Sequence, residues 1–133
     1  MATILVVDDE AQIRDLLAIV LKRNNHNVVE ASDATEALQI IDPTLLPDLI
    51  FMDHQMPKLS GIECAKSLKA LYPSLKIVLI SGSFGMYDDG YLVANKHLFE
   101  DIILKPFIIR DVIRTVEHVL SVEPTREMSY PGG

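Results

Sequence analysis

Asp48-Leu49-Ile50-Phe51-Met52-Asp53 runs into His54-Gln55-Met56-Pro57-Lys58-Leu59-Ser60-Gly61. A short apolar run closed by a carboxylate, with Pro and Gly soon after, predicts a buried strand that delivers Asp53 into a loop. In open α/β sheets the ligand crevice lies outside the carboxyl ends of the strands, so a strand-final acid stands where chemistry takes place. Alone, such an Asp serves equally well to cap the coming turn. The rest of the chain decides between the two.

Working outward, Thr3-Ile4-Leu5-Val6-Val7 is another β-branched apolar run, and it ends on Asp8-Asp9-Glu10. Continuous apolar strands of this kind are covered by helices on both faces. From Ala11 the period changes: Ile13, Leu16, Leu17, Val20 and Leu21 recur at three- and four-residue intervals, opposite Gln12, Arg14, Asp15 and Lys22. This predicts an amphipathic helix ending near Asn24-Asn25. Asn27 to Ala31 gives a short strand, and Asp33-Ala34-Thr35-Glu36 has capping-box spacing for a second helix that stops before Pro43. Ser60-Gly61-Ile62-Glu63 repeats that spacing before a third helix closed by Pro73.

Lys76 to Ile80 is a fourth strand, tipped by the hydroxyl of Ser81, and Asp101 to Leu104 a fifth, ending at Lys105-Pro106. A short helix near Asp88 to Lys96 is expected between them, in a stretch punctuated by Gly82, Gly85 and Gly90. Val112, Ile113, Val116, Val119 and Leu120 outline the last helix, and the chain is polar from Glu123. Strand and helix alternate five times, which argues for a parallel sheet wound on both faces through right-handed crossovers.

A chain of 133 residues fits one domain with a real core. Twelve Lys and Arg against 19 Asp and Glu leave a net charge of −7, which argues against direct contact with nucleic acid and suits a cation instead. One cysteine, Cys64, excludes an internal disulfide and falls within a helical pattern, as a packed thiol would. Without a signal-type segment or a long apolar run, a cytoplasmic protein that does not enter the membrane is expected.

Parallel strands all point one way, so Asp8-Asp9, Asp53, Ser81 and Lys105 fall on one edge of the sheet. Each has an ordinary explanation as a cap, a turn residue or a loop lysine. Their convergence is harder to explain that way. Three clustered carboxylates repel one another unless a cation sits among them, and a hard divalent ion with oxygen ligands, Mg²⁺ above all, meets that need. Lys105 adds a point charge for a carboxylate or phosphoryl oxygen, and Ser81 a donor for the same oxygen. The set describes a phosphoryl site around a carboxylate nucleophile. His54 has no second His or Cys at ligand spacing and is expected to face solvent from its loop. No glycine-rich phosphate loop points to a nucleotide substrate.

The Asp8-Asp9 pair, Asp53 followed by Met56-Pro57 and Gly61, Ser81, and Lys105-Pro106-Phe107 together resemble the receiver domain of two-component response regulators. The resemblance implies a flavodoxin-like, doubly wound (βα)5 fold with five parallel strands in the order 2-1-3-4-5, a receiver domain over 1–122 and a polar C-terminal tail over 123–133. It implies that Asp53 accepts a phosphoryl group from a phosphohistidine of a sensor histidine kinase or histidine phosphotransfer protein. Asp9, Asp53 and the backbone carbonyl of Gln55 would bind Mg²⁺, with Asp8 assisting. Ser81 would be the switch hydroxyl, Lys105 the phosphoryl-contacting lysine, and the Lys105-Pro106 bond cis. The protein would then catalyse only its own phosphorylation and dephosphorylation, and would signal, or form a homodimer, through the face of the fourth helix, fifth strand and fifth helix.

The family's usual pattern is not followed throughout. Ile102 stands where an aromatic switch residue is common, Ser81 replaces the more frequent threonine, and Gly82 a small alanine. The Ser81 to Lys105 interval is about two residues longer than typical. These departures direct the expected rearrangement to the fourth-helix region more than to Ile102. Two rivals remain: an aspartyl-phosphate phosphatase, which wants an acid where Gln55 stands, and a degenerate receiver that binds a partner constitutively.

Overall fold

The computed structural model describes residues 2–82 and 90–121. Over these the strands are β1 (Thr3–Val7), β2 (Asn27–Ala31), β3 (Leu49–Asp53), β4 (Ile77–Gly82) and β5 (Asp101–Lys105). The helices are α1 (Ala11–Arg23), α2 (Ala34–Ile40), α3 (Gly61–Leu71), α4 (Gly90–Ala94) and α5 (Ile109–Ser121), with a 3-10 turn at Lys96–Leu98. All strand pairs are parallel and the sheet order is β2-β1-β3-β4-β5. The order reverses at β1, so the tips of β1 and β3 flank the crevice in which such sheets bind ligands.

The two-residue period of the strands divides the core into two layers. Leu5, Val7, Ile50, Met52, Ile77 and Leu79 pack with Ala34 and Ala37 of α2, with Ile62, Ala65 and Leu68 of α3, and with Leu92 of α4. Their neighbours Ile4, Val6, Leu49, Phe51, Val78, Ile80 and Ile103 pack with Leu17 and Leu21 of α1 and with Val112, Val116 and Val119 of α5. Every residue of β3 is buried, as its uninterrupted apolar run requires. The edge strand β5 buries only Ile103.

Both expected N-caps form, but neither box closes through the cap residue's own amide. The Asp33 carboxylate accepts from the Glu36 amide at 2.8 Å while Glu36 accepts from the Ser32 amide at 2.6 Å, and the Ser60 hydroxyl accepts from the Glu63 amide at 3.2 Å. Cys64 is fully buried in α3, and burial pushes its thiol up to about 12, so it remains protonated and packed.

Three expectations need correction. Leu16 lies at the margin of the apolar stripe of α1 and is 38% exposed, with Ile19 at 51%, because Leu17, Ala18, Val20 and Leu21 fill the buried face. The fourth helix stops before Lys96: within the described residues it runs Gly90–Ala94, and a tighter 3-10 turn continues the chain after Asn95. His54 is buried rather than facing solvent. Its amide extends the β3–β4 ladder to the Ile80 carbonyl at 2.8 Å and its carbonyl accepts from Gly61 at 2.9 Å, which holds the residue against the sheet end. The expected tail over 123–133 and the first part of the fourth-helix segment lie outside the described residues. Among the described residues no helix is long and apolar enough to cross a membrane.

Candidate functional site

Val7 of β1 stands level with Met52 of β3, so the next residues, Asp8 and Asp53, emerge side by side. Asp8 and Asp53 are almost wholly buried, Asp9 is exposed, and one carboxylate oxygen from each lies within 4.8 Å of the others. Gly82 of β4 is paired with Lys105 of β5, and from there the lysine reaches back across β4. Its Nζ donates to Asp53 Oδ1 at 3.1 Å and to Glu10 Oε1 at 3.3 Å, and stands 3.9 Å from Asp8 Oδ2. The Lys105-Pro106 peptide that turns the chain away from this edge is cis.

The electrostatics follow from burial. Desolvation first, and the charge of Asp8 second, push the Asp53 carboxyl up to about 7 against the pull of Lys105. Asp8 is also raised by burial, although its Oδ1 accepts a 2.9 Å hydrogen bond from the Glu10 amide. Burial on its own lowers Lys105, but the hydrogen bond to Asp53 and the charges of Asp53, Asp8 and Glu10 outweigh it and raise that pKa. Asp8 Oδ2 is buried with no hydrogen-bond donor. A buried carboxylate oxygen without a donor, beside two more acids, is the donor set a hard oxygen-seeking cation fits.

The comparisons with known proteins agree with this geometry. The family model described as response regulator receiver domain matches residues 4–117. This chain is a response-regulator receiver domain. It is 34% identical over 118 residues to the phosphate regulon transcriptional regulatory protein PhoB of Pseudomonas aeruginosa, covering 89% of this chain and 51% of that protein. It is 32% identical over 120 residues to the chemotaxis protein CheY of Listeria monocytogenes, covering 88% of this chain and 97% of CheY. The crystal structure of the response regulator TrrA of Thermotoga maritima in complex with Mg(2+)-BeF superposes with a TM-score of 0.78 at 29% identity, over 90% of this chain and all of TrrA. The chain thus spans about half the length of PhoB and nearly all of CheY. Receiver domains are regulatory switches of two-component systems rather than enzymes acting on a separate substrate.

Among the residues singled out in the sequence, the receiver fold brings Asp8, Asp9, Asp53 and Lys105 together. Ser81 is buried in β4, and its hydroxyl donates to the Gly82 carbonyl at 3.2 Å rather than to a carboxylate. Gln55 is exposed in the loop that follows Asp53. Ile102 is half-buried and packs against the layer that holds α2 and α3.

Sequence reasoning missed two residues. Glu10 contacts Lys105, and its only signal was being third in the acid run. Arg14 looked like part of a solvated helix face, yet its Nη1 donates to the Asp8 carbonyl at 2.7 Å and its Nε pairs with Glu30 at 3.3 Å. It therefore braces the Asp8 turn against β2.

The raised Asp53 pKa gives a testable pH dependence for the metal-free receiver. Folded Asp53 titrates at about 7, against an unfolded value of roughly 3.9. Between the two the native state holds a proton that the unfolded chain has released, so stability falls as pH rises through this window. Asp8 shifts in the same direction, and Glu10 and Lys105 are the other charged groups at this edge. Unfolding free energy from urea titrations without Mg²⁺ should fall by on the order of 2 kcal/mol from pH 5 to pH 8, and the midpoint with it. A midpoint that climbs with pH would contradict the burial assigned to Asp53.

Proposed function

We propose that this receiver is a phosphorylation-controlled switch in which Asp53 accepts a phosphoryl group from a phosphohistidine of a histidine kinase or histidine phosphotransfer protein. The observation that carries this reading is the Lys105 ammonium 3.1 Å from Asp53 Oδ1, beside the three converging aspartate oxygens. In the transfer an Asp53 oxygen attacks phosphorus and forms an O–P bond. The P–N bond breaks, and its electron pair stays on the imidazole nitrogen, which takes up a proton. Lys105 neutralises charge on the equatorial oxygens, and the half-enclosed edge limits access of water. Asp8, Asp9, Asp53 and the Gln55 carbonyl would hold Mg²⁺, which when bound supplies positive charge to the carboxylates and the phosphoryl oxygens.

An apolar hollow of about 490 Å³ opens beside Lys105, lined by Ile13, Leu16, Gly82, Pro106 and Phe107, with Glu10 at its rim. Ile19, one turn beyond Leu16 on α1, is exposed as well. A donor histidine must come within bonding distance of Asp53, so an apolar surface at this entrance supports docking of the helical segment that carries the histidine. For output, we assign the larger change to the fourth-helix region rather than to Ile102. Exposed Tyr91, Val93 and Leu104 supply the surface by which α4, β5 and α5 would meet a partner or a second copy.

Phosphorylation brings about −1.5 to −2 charge and three strong acceptors. That is enough to turn the Ser81 hydroxyl from the Gly82 carbonyl toward a phosphoryl oxygen.

Incubation with acetyl phosphate and Mg²⁺ should add one phosphoryl group by intact mass, and EDTA should prevent it. Asp9→Ala should raise the Mg²⁺ concentration required at least about tenfold. Full labelling in EDTA, or no labelling under any condition, would refute the reading.

A further inference from the structure

We propose that Glu10 is a positioning residue that restrains Lys105, so that its carboxylate opposes the phosphorylated state of this receiver. The proposal rests on the reading of Asp53 as phosphoacceptor.

Glu10 occupies the N-cap position of α1, where a side chain ordinarily turns back to accept from the helix's free amides. Here it makes no such bond. Its carboxylate swings the other way and accepts from Lys105 Nζ at 3.3 Å, bridging the start of α1 to the end of β5. Its backbone is held for this role: the amide donates to Asp8 Oδ1, and the carbonyl accepts from the Arg14 amide at 3.0 Å. The helix start is secured by main-chain bonds, which leaves the side chain to the lysine.

Lys105 Nζ donates to Asp53 at 3.1 Å and to Glu10 at 3.3 Å, and Asp8 Oδ2 adds its charge from 3.9 Å. Asp53 and Asp8 are buried and hold the ammonium from the protein side, and Glu10 adds a third carboxylate that restrains it. Its carboxylate, 62% exposed, lies on the solvent side of the same ammonium. A phosphoryl group on Asp53 needs that ammonium and brings more negative charge to the same edge. Glu10 then competes with the phosphoryl oxygens for the donor. Neutralising it weakens that competition while leaving the aspartates, Lys105 and the helix cap in place.

The test uses beryllofluoride as the phosphoryl mimic, with Mg²⁺, on the wild type, Glu10→Gln, Lys105→Ala and the double variant. Glu10→Gln should tighten beryllofluoride binding by about two- to fivefold, the range of an exposed ion pair. In the Lys105→Ala background the same change should have little effect, because the coupling runs through the ammonium. Glu10→Asp, one methylene shorter, should behave like Glu10→Gln rather than like the wild type. Unchanged or weaker binding in Glu10→Gln overturns the proposal, and so does an equal gain with and without Lys105, which would mark simple charge repulsion.

A wild type that binds no beryllofluoride would refute the phosphoacceptor reading instead. The restraint is then judged on the unmodified protein. Glu10→Gln should speed exchange of the Lys105 Nζ protons in NMR spectra and shift the resonance. An unmoved resonance removes the contact on which the proposal stands.

Discussion

In Asp53→Asn, labelling by acetyl phosphate or by a phosphohistidine donor is expected to fall to background while the fold survives. The amide is close to isosteric with the carboxyl, so β3 and its neighbours in the core have no reason to repack. What changes is the nucleophile: the lone pairs of an amide are delocalised and neutral, and it cannot form the acyl phosphate that a carboxylate forms. Among the described residues Lys105 Nζ also meets Glu10 Oε1 at 3.3 Å and Asp8 Oδ2 at 3.9 Å, but Glu10 stands outside the cluster of three aspartates and Asp8 is farther from the ammonium than Asp53. The loss should therefore be complete rather than partial. Retained label that is labile to both acid and base would move the phosphoacceptor to Asp8 or elsewhere. The same variant carries a stability signature that a merely damaged protein would lack. Removing a buried carboxylate whose pKa is pushed up to about 7 takes away a group that costs stability once it ionises. Metal-free Asp53→Asn should equal or exceed the wild type in urea midpoint at pH 8 and lose most of the decline between pH 5 and pH 8.

The parts of this receiver that were legible in its sequence are those set by period and by punctuation. An apolar run such as Leu49 to Met52 can be buried only between two helical layers; the switch from period two to period three or four marked α1 and α5, and the caps Asp33 and Ser60 marked the starts of α2 and α3. The strand tips followed, because a parallel sheet places all of them on one edge. Less legible were side chains whose fate depends on a neighbour distant in sequence. His54 looked like loop, and only the ladder bond to Ile80 turns it into a buried residue. Glu10 looked like one more acid, and its meaning lies 95 positions away in Lys105. Leu16 obeyed the helical period yet is exposed, since a stripe wider than the contact surface always leaves margins uncovered. Sequence near α4 gave weak periodicity, and over the described residues that helix is five residues long, too short to show a face.

Among the described glycines, Gly61→Ala should be the most destabilising change, lowering stability by about 2–4 kcal/mol with the urea slope unchanged. Gly61 is the first residue of α3, directly after the Ser60 cap, and its amide donates to the His54 carbonyl at 2.9 Å. That bond closes the His54 to Ser60 loop so tightly that the helix start lies against the end of β3. A Cβ built on Gly61 would fall 2.2 Å from the Asp53 carbonyl oxygen and 3.0 Å from both the Asp53 carbonyl carbon and Met52 Cγ. The obstacle is chiefly backbone, so no rotamer change clears it. Backbone conformation adds nothing to the penalty, because no glycine among the described residues has a positive φ. The whole cost is steric and local, and relief requires the helix start or the Asp53 carbonyl to move. Either movement shifts the carboxylate relative to Lys105, so phosphorylation should slow together with the loss of stability. Gly90→Ala is the control. A Cβ there meets nothing within 4 Å, and alanine favours the helix it begins, so that variant should be as stable as the wild type or up to about 1 kcal/mol more so. Equal midpoints for the two alanine variants would show that the loop before α3 yields freely, and that the close approach of α3 to Asp53 does not position the site.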